Sequence, residues 1–230
     1  MLLPDTMTIH PSDLEIRRIV TDSDLDGVVT AAILRRWWTD AEVVFGHPGE
    51  LRAGVYDELI DEWTAICDLP VHPNCGLSID HHQSNRSEKN EAGAIVVWED
   101  KPSAARIAFE LFHQIIDLSD LEGLLDWVDK IDSGSISKEE FLSHDPAIWL
   151  SRIVDSEEGT ASWILEQLRV GVSTEDILND PKISKLVSEK EEELALLNEI
   201  ILSTMRVDDR IAIVRFDGSG IRSNGYYVTA

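Results

Sequence analysis

The stretch Gly76-Leu77-Ser78-Ile79-Asp80-His81-His82-Gln83-Ser84-Asn85 decides how the chain is read. A short apolar run ends in three metal-seeking side chains, Asp80, His81 and His82, and packing alone does not ask for such a triplet. Successive side chains of a strand face opposite ways, so three consecutive ligands make sense where a strand ends and its last residues curl over the sheet edge. In open parallel sheets that edge is where ligands bind. The stretch therefore predicts a strand over 77–80 and the floor of a metal site at its carboxyl end.

Working outward, the flanking segments alternate between strand and helix patterns. Residues 14–21 end in β-branched positions and read as a first strand running into Asp22-Ser23-Asp24-Leu25-Asp26-Gly27. Helical spacing of apolar residues follows over 28–38, with Arg35 and Arg36 near the end, where the helix dipole favours cations. Residues 42–46 read as a second strand and 50–63 as an amphipathic helix with an acidic outer face. A third strand over 64–68 ends in Asp68, and Pro70 helps to terminate it; 95–98 is a fifth. Strands separated by helices imply right-handed crossovers and a mostly parallel sheet with helices on both faces.

Beyond this the pattern is helical: 103–116, opening on the cap residue Ser103, then 118–128, 146–154, 160–170 and a long connecting helix over 181–205. A late strand over 210–216, a glycine-rich turn over 218–225 and a partner strand over 226–229 close the sequence. A hairpin alone is marginal, so this end reads as the start of a small second domain cut short at Ala230.

At 230 residues and 43% hydrophobic, the chain can bury one large core with room for a fragment of another. The N-terminus has no basic segment followed by an apolar run, and no stretch approaches the ~20 apolar residues that span a bilayer. Only two cysteines occur, Cys67 and Cys75, expected as small buried residues rather than ligands, and the sequence points to a reducing cytoplasm. Lys+Arg 20 against Asp+Glu 44 gives a net charge of -24, which opposes binding of duplex DNA along an extended surface. A small phosphorylated substrate or the end of a short single strand stays compatible, because bound divalent ions can be the largest charges in a site.

Asp24 and Asp26, two apart before Gly27, can point to one side of a turn, and the residues alone leave both roles open: caps of the next helix or oxygen ligands of Mg²⁺ or Mn²⁺. Asp68 gains weight from position, since three strand ends then deliver acidic or imidazole groups to one sheet edge. Asp129 and Asp132 share a helix face, and one of them is expected to complete the site. His47 reads as a loop histidine, and the seven tryptophans read as core.

Taken in order, Ser23-Asp24-Leu25-Asp26-Gly27, Cys67-Asp68, Asp80-His81-His82 and the segment from Asp129 to Gly134 resemble the four motifs of the DHH phosphoesterase superfamily. That superfamily includes RecJ-type exonucleases, nanoRNase and pAp phosphatases, cyclic-di-AMP phosphodiesterases and family II pyrophosphatases. The resemblance covers roughly the first 135 residues. It implies a DHH catalytic core over 1–135, a helical part and connecting helix over 136–206, and the start of a second domain over 207–230. It also implies two divalent ions, typically Mn²⁺ with Mg²⁺ as the alternative, and attack by metal-activated water on a phosphodiester, phosphomonoester or phosphoanhydride.

Carried onto this sequence, the resemblance makes Asp24, Asp26, Asp68 and His81 metal ligands, with Asp68 a bridge between ions. Asp80 ligates or orients, His82 meets the second ion or the phosphate, and Asp132 is preferred to Asp129 because Ile131-Asp132-Ser133-Gly134 looks like the family's Asp-Thr-Gly. Asp22 stands where RecJ-like members commonly have histidine; it too can hold Mn²⁺ or Mg²⁺. The catalytic set is thus Asp80, His81 and His82, and the phosphate contacts expected are His82, Arg86 and the helix start at Ser103. A homodimer is compatible with the sequence, and so is a non-catalytic scaffold of the same fold.

Overall fold

Five runs of four residues, rich in Val, Ile and Thr, suit a pleated, buried surface and form β1 (Arg18–Thr21), β2 (Glu42–Phe45), β3 (Thr64–Cys67), β4 (Leu77–Asp80) and β5 (Ile95–Trp98) in the computed structural model. The structure describes residues 10–86, 94–157 and 159–215. The five strands make one parallel sheet in the order β2-β1-β3-β4-β5. The chain moves from β1 to β2 on one side, then returns past β1 to build the other side from β3 outward. At such a switch point the crevice beyond the carboxyl ends of the strands is left open for a ligand.

Alternation along the strands divides the apolar side chains between two layers. Ile19, Ala65, Cys67, Leu77 and Ile79 belong to a large core under helices, whereas Val20 and Ile66 join a smaller cluster with Leu51, Ile60, Leu69 and Cys75. The large core carries α1 (Leu25–Trp37), α3 (Ala104–Phe112), α4 (Glu122–Asp132), α6 (Pro146–Ile153) and α7 (Thr160–Arg169). Phe112, wholly buried, meets Trp38 edge-on at 5.4 Å between ring centres.

The smaller face departs from expectation. The helix expected over 50–63 is only α2 (Pro48–Arg52), which His47 caps by accepting the Gly49 N–H. Gly54 takes a φ of 78°, a left-handed turn that glycine adopts at no steric cost, and turns then carry the chain to Ile60. The tryptophans also differ from their expected role: Trp38 and Trp149 are buried, but Trp37 and Trp63 are exposed. The large indole is rarely enclosed completely and keeps its N–H near an acceptor, as Trp37 does with the Ser12 carbonyl.

Two short helices, α5 (Lys138–Phe141) and α8 (Thr174–Asn179), lack a periodic signal because each is little more than one capped turn. The long helix α9 (Pro181–Thr204) runs into an antiparallel hairpin of β6 (Arg206–Asp208) and β7 (Ile211–Ile213). The expected turn over 218–225 and strand over 226–229 lie outside the described residues. Among those described, no helix is long and apolar enough to cross a membrane.

Candidate metal centre

Register brings the motifs together before any side chain is considered. Thr21 pairs with Cys67, Cys67 with Ile79, and Asp80 with Trp98, so Asp22 and Asp68 emerge side by side just past their strand ends, level with Asp80, and His81 follows one residue on. α1 starts at Leu25, three residues earlier than expected, because the Asp24 carboxylate caps it by accepting the Gly27 N–H at 2.9 Å. Asp26 is thereby carried into the first helical turn and buried. Gly27 serves this turn and not a ligand: a Cβ there would lie 2.2 Å from the Asp22 carbonyl oxygen.

The side chain of Asp26 is held by another helix. Its Oδ2 accepts the Ala104 N–H at 2.8 Å and its Oδ1 the Ala105 N–H at 2.7 Å, so the N-terminus of α3 already binds an anion, a carboxylate of its own chain. The helix start at Ser103, expected to meet phosphate, therefore has its first amides and its hydroxyl already engaged within the chain. Ser103 is wholly buried, its Oγ accepts the Arg106 N–H, and it donates to Asp129 Oδ1 at 2.6 Å.

His81 is the hub. Its Nδ1 donates to the Lys101 carbonyl at 3.1 Å, a partner that only accepts, so Nε2 is the nitrogen turned to the cluster. Around Nε2 stand Asp132 Oδ2 at 3.0 Å, Asp68 Oδ1 at 3.6 Å and Asp26 Oδ2 at 3.7 Å. The Asp132 oxygen is near but not aligned as a hydrogen-bond acceptor, and both His81 Nε2 and Asp68 Oδ1 are buried without a hydrogen-bond partner. Asp68 also sits at φ 57°, in the left-handed region that costs a non-glycine residue energy.

Asp80 does not join this group. Its Oδ1 accepts the N–H groups of His81 (2.9 Å) and His82 (3.2 Å) and the His82 Nδ1–H (2.9 Å), while Oδ2 accepts from Asn85 Nδ2 at 2.8 Å. It orients both histidines. His82 is exposed at the rim, with Nδ1 3.6 Å from Asp68 Oδ1. Asp129, one of the two expected ligands of α4, is directed elsewhere: Arg106 Nε meets its Oδ2 at 2.7 Å, and Ser103 takes the other oxygen. Arg86 is exposed, its guanidinium 5.0 Å over the Trp98 ring, and Trp98 in turn donates to the His82 carbonyl.

Charge crowding dominates the electrostatics. Burial, then the Asp132 and Asp24 charges, push Asp26 up to about 7 despite the Ala105 amide. Burial, then Asp26 and Asp24, hold Asp68 well above the ordinary carboxylate range. Asp24 opens to solvent on its outer side; removal from water on its inner side, then Asp22 and Asp132, raise it to about 6. Burial raises Asp22 as well. For His81, burial works toward a lower value, but Asp132 and Asp26 outweigh it and the ring is raised to about 9. Carboxylates that repel one another around an unpartnered imidazole nitrogen and an unpartnered carboxylate oxygen fit a divalent cation. Among the described residues, two ligand groupings have the spacing for one, Asp68/His81/His82 and Asp26/His81/Asp132, and mixed oxygen and imidazole donors suit Mn²⁺ and other transition ions.

Sequence reasoning missed Asn85, Arg106 and the Lys101 carbonyl. Asn85 lay inside the opening stretch, but its burial against Asp80 is a property of the fold; Arg106 and Lys101 carried no signal.

No protein-family model and no curated protein matches the sequence. Solved structures do match, and they show the fold. It is similar to the pGpG-specific phosphodiesterase PggH from Vibrio cholerae, with a TM-score of 0.75 and 23% identity, covering 92% of this chain and 72% of that one. It is also similar to exonuclease RecJ bound to manganese (TM-score 0.56, 16% identity, 84% and 68% covered). An uncharacterized protein from Helicobacter pylori G27 shares the arrangement (TM-score 0.53, 13% identity, 85% and 73% covered).

Proposed function

We propose that the chain is a divalent-metal-dependent phosphoesterase. It hydrolyses a phosphodiester, phosphomonoester or phosphoanhydride bond in a small or short single-stranded substrate. The observation that carries this reading is the convergence of Asp26, Asp68, His81 and Asp132 on one sheet edge around two buried atoms that lack hydrogen-bond partners. The fold supports it, because one protein that shares it is named for a dinucleotide phosphodiesterase activity and another is an exonuclease holding manganese. Mn²⁺ is the expected ion, with Mg²⁺ the alternative.

Asp26, Asp68, His81 and Asp132 would hold the ions, with Asp22, Asp24 and His82 at the rim. Divalent ions held there would supply hydroxide at neutral pH and neutralise charge developing on the phosphoryl oxygens. The chain's own part is positioning. Asp80 holds the His82 ring and the His81 backbone N–H, the Lys101 carbonyl holds the His81 ring, and the α3 amides fix Asp26. His82, exposed and raised in pKa by its bond to Asp80, is placed to donate a proton to a phosphoryl or leaving oxygen. A thiolate route is closed, because burial pushes Cys67 well above the ordinary thiol range.

The test is a panel of pGpG, other short oligonucleotides, cyclic dinucleotides, pAp and polyphosphate, with and without Mn²⁺. At least one is expected to be cleaved only with metal, and His81→Ala to abolish the cleavage. Cleavage unaffected by His81→Ala refutes the site. Mn²⁺ binding with no cleavage of any substrate replaces it with a non-catalytic binding subunit.

A further inference from the structure

We infer that Arg106 is a positioning residue for this centre: it grips Asp129 and so sets the last turn of α4 where Asp132 reaches His81. The inference rests on the metal-centre reading and adds a component that no motif marks.

Asp126, Asp129 and Asp132 are three apart and stack down one face of α4. They also lie toward the helix C-terminus, where the dipole opposes negative charge. Left alone, three carboxylates there would repel one another and fray the turn that carries Asp132. Arg106, in the first turn of α3, meets the upper two. Its Nη2 lies 2.8 Å from Asp126 Oδ1 and 2.5 Å from Asp129 Oδ2, and its Nε lies 2.7 Å from the same Asp129 oxygen. Ser103 Oγ closes on Asp129 Oδ1, so both oxygens of Asp129 are engaged by α3. Asp132, next down the face, is left as the free member and lands 3.0 Å from His81 Nε2.

The same few residues of the α3 start also hold the rest of the centre. Ala104 and Ala105 bind Asp26, and the Lys101 carbonyl fixes His81. Arg106 therefore ties the Asp132 contribution to the frame that holds Asp26 and His81, as outer partners of metal ligands commonly do.

A simple electrostatic role predicts the opposite sign. Arg106 is a cation near a cation site, so removing it would tighten metal binding if charge were all that mattered. The measurement is Mn²⁺ titration of the full chain, followed by the electron paramagnetic resonance signal of free Mn²⁺, with circular dichroism to check folding. Arg106→Gln and Asp129→Asn are expected to weaken one Mn²⁺ ion about 10- to 100-fold. Arg106→Lys, which keeps the charge but loses the planar fork, should fall between Arg106→Gln and the parent. If Arg106→Gln does not fold, Arg106→Lys and Asp129→Asn decide the matter. Binding as tight as the parent or tighter in these variants, while Asp132→Asn and His81→Ala weaken it, overturns the positioning role alone. If Asp132→Asn and His81→Ala also bind as the parent does, the metal centre itself is overturned and the role of Arg106 with it.

Discussion

Adding Mn²⁺ to the metal-free chain at pH 7 should expel protons, because ligands must give up their protons to a cation. With Asp26 held at about 7, Asp24 at about 6 and His81 at about 9, Asp26 is near half-protonated and His81 almost fully so. The expected release is therefore about one to two protons per chain. The assay is isothermal calorimetry in two buffers of different ionisation enthalpy, the difference in heat giving the proton count. The sign extends to affinity, which should rise with pH through 7 to 9 as the competing protons leave. It also extends to stability. Asp24 and Asp26 have folded values above the ordinary 3.8, so the folded state holds protons the unfolded chain has released. Metal-free stability should then fall as pH rises from about 4 to 7. His81, raised from 6.5 to about 9, continues the fall across that interval, and bound metal should flatten it. At a hundred times Kd the ion stabilises by about 2.7 kcal/mol, or about 5 to 10 °C in Tm for a chain this size. Mn²⁺ binding with heats independent of buffer refutes the crowded-carboxylate account.

The other predictions concern single positions. Gly27→Ala should destabilise by about 2 to 4 kcal/mol in urea unfolding, because the new Cβ meets the Asp22 carbonyl at 2.2 Å; a loss under ~0.5 kcal/mol would show that the turn can relax. Asp80→Asn keeps the shape but weakens the hold on His82, so catalysis on whichever substrate is found should fall about 100-fold or more, while Mn²⁺ affinity falls less than in His81→Ala; equal losses would make Asp80 a ligand. Asn85→Ala leaves Asp80 Oδ2 without its 2.8 Å partner and should cost about 1 to 3 kcal/mol of stability with a smaller drop in turnover than Asp80→Asn. Phe112→Ala, at a wholly buried ring, should cost about 3 to 5 kcal/mol without altering Mn²⁺ affinity.

What was legible in the sequence was local and periodic. The run of Leu77 to Asp80, the β-branched end of the first strand and the alternation with helices determined a parallel α/β domain. The ordered acidic and histidine motifs pointed to its carboxyl edge as a candidate ligand site. Caps with a side-chain signature, such as Ser103 and Asp24, were legible too, although whether Asp24 caps, ligates or does both was not. The amphipathic pattern over 50–63 misled because Gly54 breaks the helix through a backbone dihedral, and hydrophobic spacing does not record dihedrals.

The tertiary structure supplied the physical difference between residues of the same chemistry. The motif resemblance preferred Asp132 to Asp129 without giving a reason; Arg106, 23 residues from Asp129 in the chain and 2.7 Å away in space, is what turns Asp129 aside. The α3 N-terminus looked like a phosphate site, since any helix start is one; it is filled because the fold delivers Asp26 from a distant helix to its amides. The Asp80-His81-His82 stretch likewise pointed to a candidate metal site by itself. That His81 Nε2 faces the cluster, and that Asp80 holds its neighbours instead of joining it, depended on the Lys101 carbonyl and Asn85. Hydrogen bonds are directional and made across space, so a sequence can supply donors and acceptors without saying which will meet.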